Sequence, residues 1–281
     1  IPQNKYMFEF YGNIEKDKQH SVKTIITDEQ GRTSVANWIF EGQIPVEAIL
    51  GKDRFKYLGW WGQVNADGIS VRKEPKTSSE RLGTFSSINR VKVLKEVYGE
   101  TINDVNLWYE IDGGQYPRAY VFSEYVTPMV QPEPPKEFAI PAEVKEGEYW
   151  IDFDLTKKIL TLFLYDTPVF VTYGSPGREE NPTVIGTFKI WYKLEKARMK
   201  GGPPLHEYKY DLADVPDVLY YNEDYAIHGT YWHDKFGLPQ SAGCTNLTQG
   251  DAAFIFGKTN PKLKPGEKSI FSSTKNPGTV V

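Results

Sequence analysis

The chain of 281 residues has one cysteine, Cys244, and four histidines. A lone thiol closes no internal disulfide, so it is either an inert buried side chain or a reactive one. One cysteine and scattered histidines make no cluster at metal-ligand spacing, so neither a metal nor an organic cofactor is implied. Positive charge is also scarce: 33 Lys+Arg stand against 37 Asp+Glu. An acidic chain lacks the basic face that nucleic acid requires, which excludes that partner class. No run approaches the roughly 18 apolar residues that span a bilayer. The longest apolar run, ILTLFLY at 159–165, is interrupted by Thr161 and reads as a strand, so no transmembrane segment is expected. The chain starts at Ile1 instead of Met, which leaves room for an export signal or anchor removed upstream.

Aromatic residues, by contrast, are plentiful, with 18 Tyr, 15 Phe and 7 Trp. They suit strands and point to β-rich structure, or to carbohydrate and wall contact. A hydrophobic share of 40% supplies real cores, and the length allows more than one domain. Residues 1–58 hold strand-like segments, SVKTIIT and RTSVANWIF, around a turn at Gly31, with no readable function. Residues 59–128 carry short alternating runs broken by turn signals such as Asp67-Gly68 and Pro75, the pattern of a small barrel. The GISVRKEP opening, the WYEI strand and the closing YVFSEYVTP resemble a bacterial SH3 domain. That resemblance implies attachment to peptidoglycan, with Trp108, Tyr109, Tyr120 and Tyr125 either lining a ligand groove or packing the core. Residues 129–147 form a proline-rich linker, expected to be a semi-rigid spacer.

From 148 to 281 the pattern is again β. YWIDFD, ILTLFLY and PVFVTYGS read as strands, as do VIGTFKIWYKL and two segments around Asn222-Glu223-Asp224. The one good helix signal is Thr248 followed by Asp251, a capping-box-like start for GDAAFIFGKT. His228-Gly229 ends a strand, and Gly243-Cys244 follows after a loop, sixteen residues separating His228 from Cys244. A catalytic thiol needs a base to take its proton and donors for the developing oxyanion. The alternative is a buried structural cysteine beside an unrelated histidine.

His228-Gly229, the loop TYWHDKFGLPQ, and Ser241-Ala242-Gly243-Cys244-Thr245-Asn246 resemble the signature of the L,D-transpeptidase (YkuD-type) catalytic domain. NPTVIGTFKIWYK resembles that domain's Thr-Pro-x-Gly-x-Phe segment, and GDAAFIF and the terminal PGTVV resemble its helix and last strand. The resemblance implies a mainly β fold, an SH3-like barrel plus a β-rich catalytic domain with one short helix after the cysteine. It makes Cys244 the nucleophile, His228 the general base and the Gly229 carbonyl the group that orients the imidazole. Backbone amides of Ala242, Gly243 and Cys244 would form the oxyanion hole. Asn246 would hold the loop or touch substrate, and Ser241 would serve turn geometry. Tyr231, Trp232 and Phe236 would wall the groove or pack the loop, and His206 would lie on a surface loop near it. The family pattern has histidine where this chain has Ala242; His233 is the candidate to fill part of that gap.

The implied function is transfer of a peptidoglycan stem peptide through a Cys244 thioester to an amine acceptor, outside the cytoplasm, in secreted or wall-associated form. Hydrolysis of the same thioester is the alternative within that class. A non-catalytic wall-binding protein with a decayed site is the alternative outside it.

Overall fold

The computed structural model describes residues 20–27, 33–40, 59–201 and 209–281. They fall into two units, Ile1–Arg54 and Phe55–Val281. In the first, β1 (His20–Thr27) and β2 (Thr33–Phe40) pair antiparallel, from His20 opposite Phe40 to Thr27 opposite Thr33. The turn at Gly31 lies outside the described residues.

The second unit opens with a seven-stranded antiparallel sheet. Its strands are β3 (Trp60–Val64), β4 (Ile69–Arg72), β5 (Arg81–Phe85), β6 (Arg90–Ile102), β7 (Val105–Asp112), β8 (Pro117–Phe122) and β9 (Val126–Pro128). Their order is β5-β4-β8-β7-β6-β3-β9. Alternation places Ile69 and Val71 inside, with Phe85, Val91, Val93, Ile111, Ala119 and Val121 closing a small core. Trp108 is core as well, and its indole N–H donates to Glu100 O at 2.9 Å. Tyr109 packs edge-on to Trp60, the Tyr120 hydroxyl bonds Glu110, and Tyr125 stays largely open.

Residues 129–147 form no strand or helix, yet they are tied down. The Gln131 carboxamide accepts from Trp61 N (2.7 Å) and donates to Trp61 O (2.9 Å). Ile140 and Val144 pack with Trp150, Phe163 and Val280. The expected spacer is therefore a strap laid along both sheets.

Beyond it, β10 (Tyr149–Asp154), β11 (Ile159–Leu164) and β12 (Thr167–Tyr173) form an antiparallel meander. A second sheet holds β13 (Tyr192–Gly201), β14 (Tyr210–Asn222), β15 (Tyr225–Gly229), β16 (Thr245–Leu247) and β17 (Ser269–Phe271), in the order β16-β15-β14-β13-β17. The helix α1 (Gln249–Lys258) packs on β14 and β15. Thr248 caps it, its Oγ1 accepting from Asp251 N at 3.2 Å. Ile151, Leu160, Phe170, Leu219, Ile227 and Ile255 meet in the core between the meander, the second sheet and the helix. Thus the protein is β-rich, with one α-helix among the described residues.

Two expected strands differ. Most of VIGTFKIWYKL is extended but unladdered: Phe188 N donates to Val281 O and Ile190 N to Thr279 O, and β13 begins only at Tyr192. PGTVV, correspondingly, makes isolated bridges from Val280 to Trp150 and Lys189 instead of a full strand. These two segments satisfy one another's backbone groups outside the main ladders.

One connection positions the site. β15 and β16 are parallel neighbours, with His228 opposite Asn246. Parallel strands joined in sequence need a crossover of about a dozen residues or more. Residues 230–244 supply it, so the loop that the topology demands is the loop that carries His233 and ends at Cys244.

Candidate active site

His228 is the second-last residue of β15 and is buried. Its Nδ1 lies 3.0 Å from Gly229 O. A carbonyl only accepts, so Nδ1 carries the hydrogen and Nε2 keeps a lone pair. Burial pushes the imidazole down to about 4, eased by the bond to Gly229, so the ring is neutral at physiological pH. Gly229, behind it, is itself enclosed by Pro216 and Ala252.

Cys244 sits at the end of a tight turn. Ser241 Oγ donates to Cys244 O (2.5 Å) and accepts from Gly243 N (3.0 Å). The segment that resembled the family's Thr-Pro-x-Gly-x-Phe braces the same turn, because Thr183 Oγ1 donates to Gly243 O at 2.8 Å. Gly243 has φ +124°, and an added Cβ there would lie 2.8 Å from the Tyr225 ring, so a side chain fits poorly. Of the three amides expected to line an oxyanion site, that of Gly243 is already bonded to Ser241, which leaves the amides of Ala242 and Cys244 for that task.

The Cys244 thiol is half-buried and donates to Asp224 O across 3.6 Å. Desolvation pushes it up to about 11, partly offset by a backbone hydrogen bond from Ala226. Cys244 lies two positions before Asn246, the residue opposite His228, and two residues of strand span about 7 Å. Both side chains line one cleft. The resting pair is thus a neutral thiol and a neutral imidazole, not an ion pair.

His233 is buried, and Lys235 N donates to its Nδ1 at 3.2 Å. Neutral imidazole then carries its hydrogen on Nε2, which is 2.9 Å from the Asn246 carboxamide. The carboxamide oxygen therefore belongs on the Nε2 side, which puts the NH2 at the buried position that has no hydrogen-bond partner among the described residues. Desolvation pushes His233 down to about 3, with His228, Lys235 and Arg178 adding to the effect. His233 thus locks Asn246 beside His228.

The cleft, of about 360 Å³, brings together His228, Trp232, His233, Ser241, Ala242, Cys244 and Asn246. Trp232 lies 5.7 Å from the His228 ring. Phe236 is fully buried against Trp61 and His233, and the Tyr231 hydroxyl bonds Ala213 O, so these two hold the loop and do not face the cleft. His206 lies outside the described residues. Sequence reasoning missed Arg178, Met199, Asn89 and Gln115 in the lining. Of these only Arg178 had a visible signal, a cation just after the SPG turn at 175–177. Among the described residues no group of three or more His, Cys, Asp or Glu gathers to hold a metal.

Residues 148–280 match the family model of the L,D-transpeptidase catalytic domain, and residues 67–127 match that of the bacterial SH3 domain. The chain thus carries an L,D-transpeptidase catalytic domain behind a bacterial SH3 domain. No curated protein matches the chain. Among solved structures, an L,D-transpeptidase from Mycobacterium smegmatis is 20% identical, with 45% of this chain and 59% of that one covered and a TM-score of 0.36. The catalytic domain of the E. faecium L,D-transpeptidase is 21% identical, covering 44% of this chain and 96% of that one, with a TM-score of 0.35. An L,D-transpeptidase from Stackebrandtia nassauensis is 24% identical, covering 41% of this chain and 52% of that one, with a TM-score of 0.34. This chain spans 59% of the length of the mycobacterial protein. The assignment of the L,D-transpeptidase domain rests on the family model, whose members are cysteine-dependent and act on peptidoglycan. No helix among the described residues is long and apolar enough to cross a membrane.

Proposed function

We propose that the protein is a peptidoglycan L,D-transpeptidase that works outside the cytoplasm, with Cys244 as nucleophile and His228 as general base. The observation that carries this reading is the fixed His228 tautomer: Nδ1–H held by Gly229 O, and an Nε2 lone pair in the cleft that Cys244 lines. When substrate arrives, the thiol leaves Asp224 O and passes its proton to His228 Nε2 as sulfur attacks the carbonyl carbon of stem residue three. The C–N bond to D-Ala breaks, and the imidazolium proton goes to the departing amine. The resulting thioester is opened by an acceptor amine, whose proton goes to His228 and on to the leaving sulfur. Water in place of the amine gives hydrolysis. The Ala242 and Cys244 amides face the developing oxyanion. Arg178 and Lys235 make the cleft cationic, which suits a substrate carboxylate.

A second reading, a wall-binding protein without catalysis, draws on Ala242 and on a thiol pushed up to about 11. Intact-protein mass spectrometry with a carbapenem or a stem tetrapeptide separates the two. Wild type is expected to gain a covalent adduct that Cys244→Ala lacks. A folded wild type that gains none would leave only the second reading.

A further inference from the structure

One wall of the cleft comes from the SH3 domain. Asn89, just before β6, and Gln115, in the turn between β7 and β8, both line it. Hydrogen bonds clamp these segments to the loop that carries His233 and to the start of α1. Arg90 N donates to Asp234 O at 2.8 Å, and Arg90 Nη1 donates to Phe236 O at 3.1 Å. Gln115 N donates to Asp234 Oδ1 at 3.3 Å, and Gln249 Nε2 donates to Gly114 O at 3.0 Å. A Cβ on Gly114 would lie 2.1 Å from His233 O, so only glycine allows this approach.

The two carboxamides are not equivalent. Asn89 Oδ1 accepts from Ser86 N at 2.7 Å and its Nδ2 reaches Asp234 O at 3.4 Å, so this side chain is committed to the protein. The Gln115 side chain is exposed and takes no partner among the described residues, while the peptide group that joins it to Gly114 is fixed through both its N–H and its carbonyl. A neutral carboxamide with a donor and an acceptor matches a peptide group, which presents one of each. Fixing its backbone in advance lowers the entropy cost of using it.

We propose that Gln115 is a substrate-binding residue of the transfer groove: the SH3 domain forms a wall of the site, and the Gln115 carboxamide pairs with a backbone amide of the stem peptide. This rests on the reading of the cleft as the stem-peptide groove. The substrate-reading role of the SH3 domain is then built into catalysis and is separate from any hold on the wall.

The test uses the full chain and stem tetrapeptides ending in D-Ala, with lysine or diaminopimelate at position three. Gln115→Ala is expected to raise KM about three- to tenfold, the worth of a typical hydrogen bond, while kcat stays within about twofold. Gln115→Glu, which keeps an acceptor and loses the donor, is expected to raise KM as well. A second readout needs no turnover: calorimetric titration of the tetrapeptide into Cys244→Ala, with and without Gln115→Ala. Weaker binding with Gln115→Ala upholds the inference even where wild type transfers nothing, in which case the transfer reading alone falls. Unchanged KM and unchanged affinity overturn the inference and leave transfer standing. Absence of peptide binding to either protein overturns both.

Discussion

At the scale of single residues, a proton must move between two groups that are both neutral at rest. The His228 carbonyl bond keeps Nε2 free to accept, and burial holds the ring at about 4 instead of the usual imidazole value. The ascending limb of kcat/KM against pH is therefore expected near pH 4, not near 6.5, because only the neutral ring serves as base. A limb near 6.5 would mean that the ring is solvated in the working enzyme. His228→Gln is expected to lower kcat by about 10²–10⁴-fold without loss of the fold, which circular dichroism would check. The depressed value also bears on stability. The unfolded chain binds a proton at His228 below about 6.5, whereas the folded chain resists until about 4. The stabilisation is whole above that upper value and is lost as pH falls through the window, by about 3 kcal/mol.

At the scale of elements, the start of α1 joins fold to site. Thr248 Oγ1 takes the Asp251 amide, and its hydroxyl also bonds the Asp112 carboxyl of β7. Thr248→Ala is expected to cost about 1–2 kcal/mol in urea denaturation, with Thr248→Ser recovering most of it. A loss of only a few tenths would show that the cap contributes little here. This cap was legible in the sequence, since Thr-x-x-Asp before an apolar run is a local signal. Legible too were the His-Gly strand end, the Gly-Cys turn and most short strands, because alternation and turn residues act over a few positions. Other features were not. Alternation in VKVLKEV points Lys92 outward, yet its Nζ lies 2.6 Å from Asp251 Oδ1 in a buried pair. Nothing near Lys92 announces a partner on a helix far along the chain. The extended course of 184–191 escaped for a similar reason, since Phe188 and Ile190 bond Val281 and Thr279, far along the chain. Asp112-Gly113-Gly114-Gln115 looks like an ordinary turn. Its close approach to His233 depends on how two sheets meet.

At the scale of the whole second unit, the seven-stranded sheet meets α1 and the 230–244 loop through charged groups. Lys92 and Asp251 pair between β6 and α1, while Asp112 and Asp234 lie in the same contact with their carboxyls buried. Asp112 is pushed up to about 6 by desolvation and by Asp251, with Thr248, Lys92 and the Gly250 amide opposing. Asp234 is pushed up to about 7, chiefly by desolvation, although the Gln115 and Gly114 amides favour its anion. Its Oδ2 has no hydrogen-bond partner among the described residues. A carboxyl raised in the folded state keeps a proton that the unfolded chain has already released above about 4. Its stabilisation is whole below that value and is lost as pH climbs through 7, by at most about 4 kcal/mol for Asp234. This slope runs opposite to that of His228 over the range they share, from about 4 to 6.5, where the two offset one another, so the Asp234 loss is expected to show by itself above about pH 6.5. Asp234→Asn keeps an oxygen for the Gln115 and Gly114 amides and has no proton to lose. Urea denaturation at pH 6 and pH 8 should therefore show a drop for wild type and a clearly smaller drop for Asp234→Asn. Equal drops would assign the alkaline loss to other groups.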